Sequence, residues 1–127
     1  MKERLLIIDD ARTTRTHLQL MLSAQYECLV AESAEVGLAL ARTAMPPPSA
    51  ILLDVQMPGM GGIEALKLLK ADELLQATPV VMVTTRGEEE TLRLCRELGA
   101  DGYITKPVQN AELFQVLRGL LKAKRSS

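Results

Sequence analysis

Short apolar runs alternate along this chain with longer stretches in which apolar residues recur every three or four positions. The runs are "RLLII" (4–8), "CLVAE" (28–32), "SAILL" (49–53), "PVVMV" (79–83) and "GYIT" (102–105). Their length and β-branched content predict strands. Between them the period changes. Leu113, Val116, Leu117, Leu120 and Leu121 fall at i, i+3, i+4, i+7 and i+8, one stripe of a helix, and Leu18, Met21 and Leu22 mark the first helix in the same way. Runs such as "AILL" and "VVMV" show no polar alternation, which predicts strands covered on both faces.

The punctuation agrees with these elements. Pro46, Pro47 and Pro48 end the second helix and stiffen the approach to the third strand. Gly99 follows "CREL", where a helix end favours a left-handed residue. Glu88, Glu89 and Glu90 suit the positive end of the fourth helix, and Glu89 is spaced to pair with Arg93. Five strands alternating with five helices require crossover connections, hence a parallel, doubly wound α/β sheet.

Composition narrows the picture. At 127 residues the chain is expected to form one domain that buries roughly two thirds of its unfolded surface. Without Trp, and with one Phe and two Tyr against 47% apolar residues, the core must be aliphatic. Fifteen basic and sixteen acidic residues leave a net charge of −1, no footprint for nucleic acid and no basic face for anionic membranes. Cys28 and Cys95 match neither a disulfide framework nor a zinc site and are expected to be reduced core residues. "MKER" precedes only four apolar residues, too few for a signal peptide, and no long apolar run follows, so the cytoplasm is the expected location.

In doubly wound sheets ligands bind beyond the carboxyl ends of the strands. The residues predicted there are Asp9 and Asp10 after strand one, Asp54 after strand three, Thr84 and Thr85 on strand four, and Thr105, Lys106 and Pro107 on strand five. Each has an ordinary alternative: Asp10 before "ARTTR" is placed to cap a helix, Asp54 to sit in a turn, Lys106 to be a solvated cation. Their convergence on one edge changes the reading. Three crowded carboxylates repel, raising the pKa of at least one unless a cation neutralises them, and an all-oxygen donor set without His or Cys favours Mg2+.

At this point the chain resembles the receiver domains of bacterial two-component response regulators, of the chemotaxis-regulator type. The residues that carry the resemblance are "LLIIDD", "ILLDVQMPGMGGIE", "VVMVTT" and "GADGYITKP", four motifs in order over nearly the whole chain. The resemblance implies a flavodoxin-like sheet of order 2-1-3-4-5 with five helices, over a single receiver domain spanning 1–127, of which about 122–127 is a frayed tail or linker stub. It implies that Asp54 accepts a phosphoryl group from a sensor histidine kinase or phosphotransfer protein. Asp9, Asp10, Asp54 and the Gln56 carbonyl would hold Mg2+; Thr84 and Lys106 would bind phosphoryl oxygens; Thr84 and Tyr103 would form the switch; Pro107 would follow a cis bond.

The implied protein is a signalling switch, acting only on its own phosphorylation and dephosphorylation, whose fourth helix, fifth strand and fifth helix form the surface for a downstream effector. Homodimerisation is left open. Two alternatives stand beside it: a docking or dimerising module that works without phosphorylation, and a small magnesium-dependent phosphatase. Gln56, where dehalogenase-like phosphatases carry a second acid, disfavours the latter.

Further positions follow from the resemblance. Gln56 and Arg86 occupy places that tune phosphoryl lifetime, and Thr85 stands where many relatives have Ala. Arg15 is placed to brace the acidic loop. His17, alone, is expected on a helix surface. Gly61 replaces the usual acid of "MPxMDG", and three glycines in four residues predict high mobility from Gly59 to Gly62.

Overall fold

The computed structural model describes residues 2–85 and 88–126, without the side chains of 124–126. The elements run β1 (Glu3–Ile8), α1 (Arg12–Leu22), β2 (Tyr26–Ala31), α2 (Ala34–Thr43), β3 (Ala50–Asp54), α3 (Gly62–Ala71), β4 (Val80–Thr85), α4 (Glu89–Glu97), β5 (Gly102–Lys106) and α5 (Asn110–Ser126). The strands form one parallel sheet in the order β2-β1-β3-β4-β5. This is the doubly wound, flavodoxin-like architecture the sequence predicts.

Strand pleating divides the core into two layers. Leu6, Ile8, Ile51, Leu53, Val80 and Met82 face α2, α3 and α4, meeting Leu38, Ala65, Leu66, Leu69 and Cys95. Leu5, Ile7, Leu52, Val81, Val83 and Ile104 face α1 and α5, meeting Leu18, Leu22, Leu113, Leu117 and Leu121. The continuous runs in the central strands thus have one physical cause: each residue, whichever way it points, lands in a covered layer. Among the described residues, no helix is long and apolar enough to cross a membrane.

Several local expectations change. β2 begins at Tyr26, two residues before the predicted start, because Tyr26 is buried and stacks on Phe114 with ring centroids 6.3 Å apart. Cys28 is only half-buried, since β2 is an edge strand; Cys95 is fully buried, and both are free thiols. Asp10 does not cap α1. The N-cap is Ala11, and the acid that closes the turn is Asp9, whose Oδ1 accepts the Ala11 N–H at 2.8 Å. The expected Glu89–Arg93 pair is absent among the described residues, where α4 starts with Glu88 as its N-cap.

Two glycines are required by geometry. Gly99 has φ +104°, and the paired bonds Gly99 N–H to Arg96 O and Ala100 N–H to Cys95 O close α4 as expected of a left-handed helix end. Gly62 is a different case. It is buried where a Cβ would lie 2.2 Å from the Asp54 carbonyl oxygen and 2.7 Å from Val55 Cα, and its N–H bonds to Val55 O at 3.0 Å. The glycine-rich loop therefore ends in a residue packed against the backbone of Asp54 and Val55.

Candidate functional site: an acidic rim with one lysine

The parallel ladder brings the predicted residues to one edge. Ile8 pairs with Leu53, so the next residues, Asp9 and Asp54, stand side by side beyond the two central strands. Asp54 pairs with Val83, Thr84 with Thr105, and Thr85 with Lys106, which sets the remaining groups on the same rim. Asp9 and Asp54 are almost fully buried, 1% and 4% exposed, whereas Asp10 is exposed. Each of the three offers a carboxylate oxygen, and these oxygens lie within 4.8 Å of one another.

Lys106 reaches over the rim from β5. Its Nζ donates to Asp54 Oδ1 at 3.3 Å and stands 3.3 Å from Asp9 Oδ2. The contact with Asp9 is within ion-pair range, and among the described residues no hydrogen bond of good geometry reaches the buried Asp9 Oδ2. Elsewhere the loop is braced: Arg15 Nη1 donates to the Asp9 carbonyl at 2.8 Å, and the Gln56 N–H donates to Asp54 Oδ1 at 3.4 Å. The Lys106–Pro107 bond is cis.

Electrostatics follow from this crowding. Burial, and next the charge of Asp9, push the Asp54 carboxyl up to about 6, against the opposing pull of Lys106 and the Gln56 N–H. For Lys106, burial acts to lower the pKa, but the charges of Asp54 and Asp9 outweigh it and the net shift is upward. The site thus carries more negative charge than its lysine balances.

The donor set fits a hard divalent cation. Three carboxylates converge, all donors are oxygen, and the buried Asp9 Oδ2, in ion-pair range of Lys106, accepts no hydrogen bond of good geometry among the described residues. Asp9, Asp10 and Asp54 are the residues that could hold it.

The other predicted residues are placed with varying closeness. Thr84 is buried, 2% exposed, and among the described residues its hydroxyl makes a long 3.5 Å bond to the Thr85 carbonyl. Thr85 is exposed. Tyr103 lies away from the acids, 43% exposed, where its hydroxyl accepts from Arg96 Nη2 at 2.8 Å and the guanidinium sits 5.3 Å from the ring centre. Beside it, a cleft of ≈ 240 Å³ opens between α4 and β5, lined by Met82, Leu92, Cys95 and Gly102. His17 is exposed on α1, and Arg86 lies outside the described residues.

Sequence reasoning overlooked two participants. Arg96 carries no motif, and its link to Tyr103 appears only when α4 packs beside β5. Glu88, read as part of a solvated helix start, instead accepts from Gln56 Nε2 at 3.3 Å and from Thr91 Oγ1 at 3.1 Å. A separation of 32 residues hides that bond from any local pattern.

Comparison with known proteins agrees with the fold. The family model described as the response regulator receiver domain matches residues 5–118. The chain is 40% identical over 119 residues to the phosphate regulon transcriptional regulatory protein PhoB of Pseudomonas aeruginosa, covering 93% of this chain and 51% of that protein. It therefore spans about half the length of that relative. Protein PilH of the same organism is 36% identical over 119 residues, with 93% and 97% covered. Among solved structures, the chemotaxis protein CheY4 of Vibrio cholerae superposes with a TM-score of 0.87 at 29% identity, covering 94% of this chain and 99% of that one. This chain belongs to the response regulator receiver domain family, whose members are signalling switches of two-component systems.

Proposed function

We propose that Asp54 accepts a phosphoryl group from the phosphohistidine of a sensor kinase or phosphotransfer protein, in a reaction that requires Mg2+. The observation that carries this reading is the Lys106 ammonium 3.3 Å from both Asp54 and Asp9. A lone pair of the Asp54 carboxylate attacks phosphorus; a P–O bond forms as the P–N bond to histidine breaks, and its electrons leave on the ring nitrogen. Two anions must approach for this to happen. Lys106 offsets part of that charge and, as a compact point charge, follows the phosphoryl oxygens through a loose transition state.

Asp9, Asp10, Asp54 and the Gln56 carbonyl would hold Mg2+, which when bound would supply electrostatic neutralisation of the phosphoryl oxygens. Thr84, whose buried hydroxyl makes a long bond of 3.5 Å to the Thr85 carbonyl, would donate to a phosphoryl oxygen. That movement draws Tyr103 from Arg96 towards the cleft between α4 and β5 and alters the surface formed by α4, β5 and α5. An effector domain or separate effector protein reads that surface. The balanced net charge of the chain favours an action on proteins rather than nucleic acid, in the cytoplasm where such a kinase would deliver its phosphoryl group.

The test is incubation with Mg2+ and acetyl phosphate, followed by intact mass. The wild type should gain one phosphoryl group, and Asp54→Asn or chelation with EDTA should abolish the gain. A wild type that stays unlabelled, or an Asn variant labelled equally, would reject the reading.

A further inference from the structure

From the contacts at the mouth of the acidic rim, we infer that Glu88 is a positioning residue which holds Gln56 across the approach to Asp54 and so limits the rate of phosphoryl exchange. The inference rests on the proposed role of Asp54. A connected path supports it. The backbone N–H of Gln56 bonds to Asp54 Oδ1 at 3.4 Å, which sets the residue beside the acceptor, and its side-chain Nε2 donates to Glu88 Oε1 at 3.3 Å. The second oxygen of Glu88 accepts from Thr91 Oγ1 at 3.1 Å, which anchors the carboxylate to the first turn of α4.

The side chain of Gln56 thereby bridges the loop after β3 to the start of α4, on the rim where the phosphoryl donor must arrive. Free in solvent, an exposed glutamine would sample several rotamers, with a substantial loss of freedom on being held. The bond to Glu88 selects the bridging one. Closed, the bridge leaves less room for a donor and for a hydrolytic water alike; opening it speeds both phosphoryl uptake and phosphoryl loss.

The measurement is the rate of uptake from acetyl phosphate and of subsequent loss, by intact mass, in the wild type, Glu88→Ala, Glu88→Gln, Gln56→Ala and the Gln56→Ala/Glu88→Ala double variant. Glu88→Ala should accelerate both rates by about two- to tenfold, the range a single net hydrogen bond supports. Glu88→Gln keeps an acceptor for Gln56 Nε2 and should restore rates near those of the wild type. In the Gln56→Ala background the same Ala change should have no further effect, whereas a mere loss of helix capping would act equally in both backgrounds. Equal effects in the two backgrounds, a Gln variant as fast as the Ala variant, or Glu88→Ala rates matching a labelled wild type would each overturn the role of Glu88 while leaving Asp54 as acceptor intact. An unlabelled wild type would instead remove the acceptor itself, and this inference with it.

Discussion

The charge imbalance at the rim has a direct consequence for stability. Asp54 titrates at about 6 in the fold against 3.8 ordinarily, so the folded chain holds a proton there that the unfolded chain has already released. Between those two pH values the native state binds more protons, and stability contributed by this group falls as pH rises through the window. Above about pH 6 the loss is complete; converted at 1.36 kcal/mol per pH unit, it amounts to about 3 kcal/mol. Asp54→Asn keeps the shape and removes the buried charge. In metal-free buffer near pH 8 the variant should therefore be more stable than the wild type by about 1–3 kcal/mol, the lower figure allowing for the lost pairing with Lys106. For a chain of this length that is roughly 4 °C of melting temperature per kcal/mol. The gap should close as pH falls towards 4, where both proteins are neutral at this position. Mg2+ should also narrow it, because a cation that binds only the folded wild type stabilises it by mass action. Calorimetry or thermal circular dichroism across this range, with EDTA and then with Mg2+, provides the assay. A gap that does not vary with pH, or a wild type more stable than the Asn variant in EDTA, would refute the reasoning.

Three other perturbations have defined outcomes. Lys106→Met should slow phosphoryl uptake by about 10²–10³-fold, as loss of a preorganised charge does elsewhere, and should raise the Asp54 pKa beyond about 6 by removing its lowering partner; uptake kinetics and carboxyl NMR titration check the two parts. Gly62→Ala places a methyl group 2.2 Å from the Asp54 carbonyl oxygen and should destabilise the fold by about 1–3 kcal/mol in thermal melts, with a neutral result contradicting the close packing. Arg96→Ala removes both contacts on Tyr103 and should move its aromatic NMR signals in the unphosphorylated protein towards those of the phosphorylated wild type, whereas an unmoved spectrum would deny Arg96 a holding role.

The sheet was legible because burial on both faces writes itself into sequence as unbroken apolar runs, and each run in the central strands corresponds to residues divided between two core layers. The rim was legible for a related reason: polar residues that interrupt such runs at their carboxyl ends must share an edge. What stayed hidden depends on contacts between elements. Asp9 and Asp10 are adjacent and chemically identical, yet one closes the turn and is buried while the other is exposed, a difference set by how the loop bends. Tyr26 looked like connector until its stacking with Phe114, almost ninety positions away, drew it into β2. Gly62 read as one more flexible glycine, and only the proximity of the Asp54 backbone makes it obligatory. Glu88 belonged to an acidic run that local rules assign to a helix dipole, and its bond to Gln56 required the third and fourth strands to be neighbours.

Chemical trapping tests the central claim most directly, because it asks which atom carries the phosphoryl group. Borohydride reduces an acyl phosphate on aspartate to homoserine, so the protein is treated with Mg2+ and acetyl phosphate, reduced, digested and mapped by mass spectrometry. The modification should appear at Asp54 and nowhere else, and should vanish with EDTA. Homoserine at Asp9 or Asp10, or a phosphoryl group that survives reduction on a different kind of side chain, would contradict the assignment.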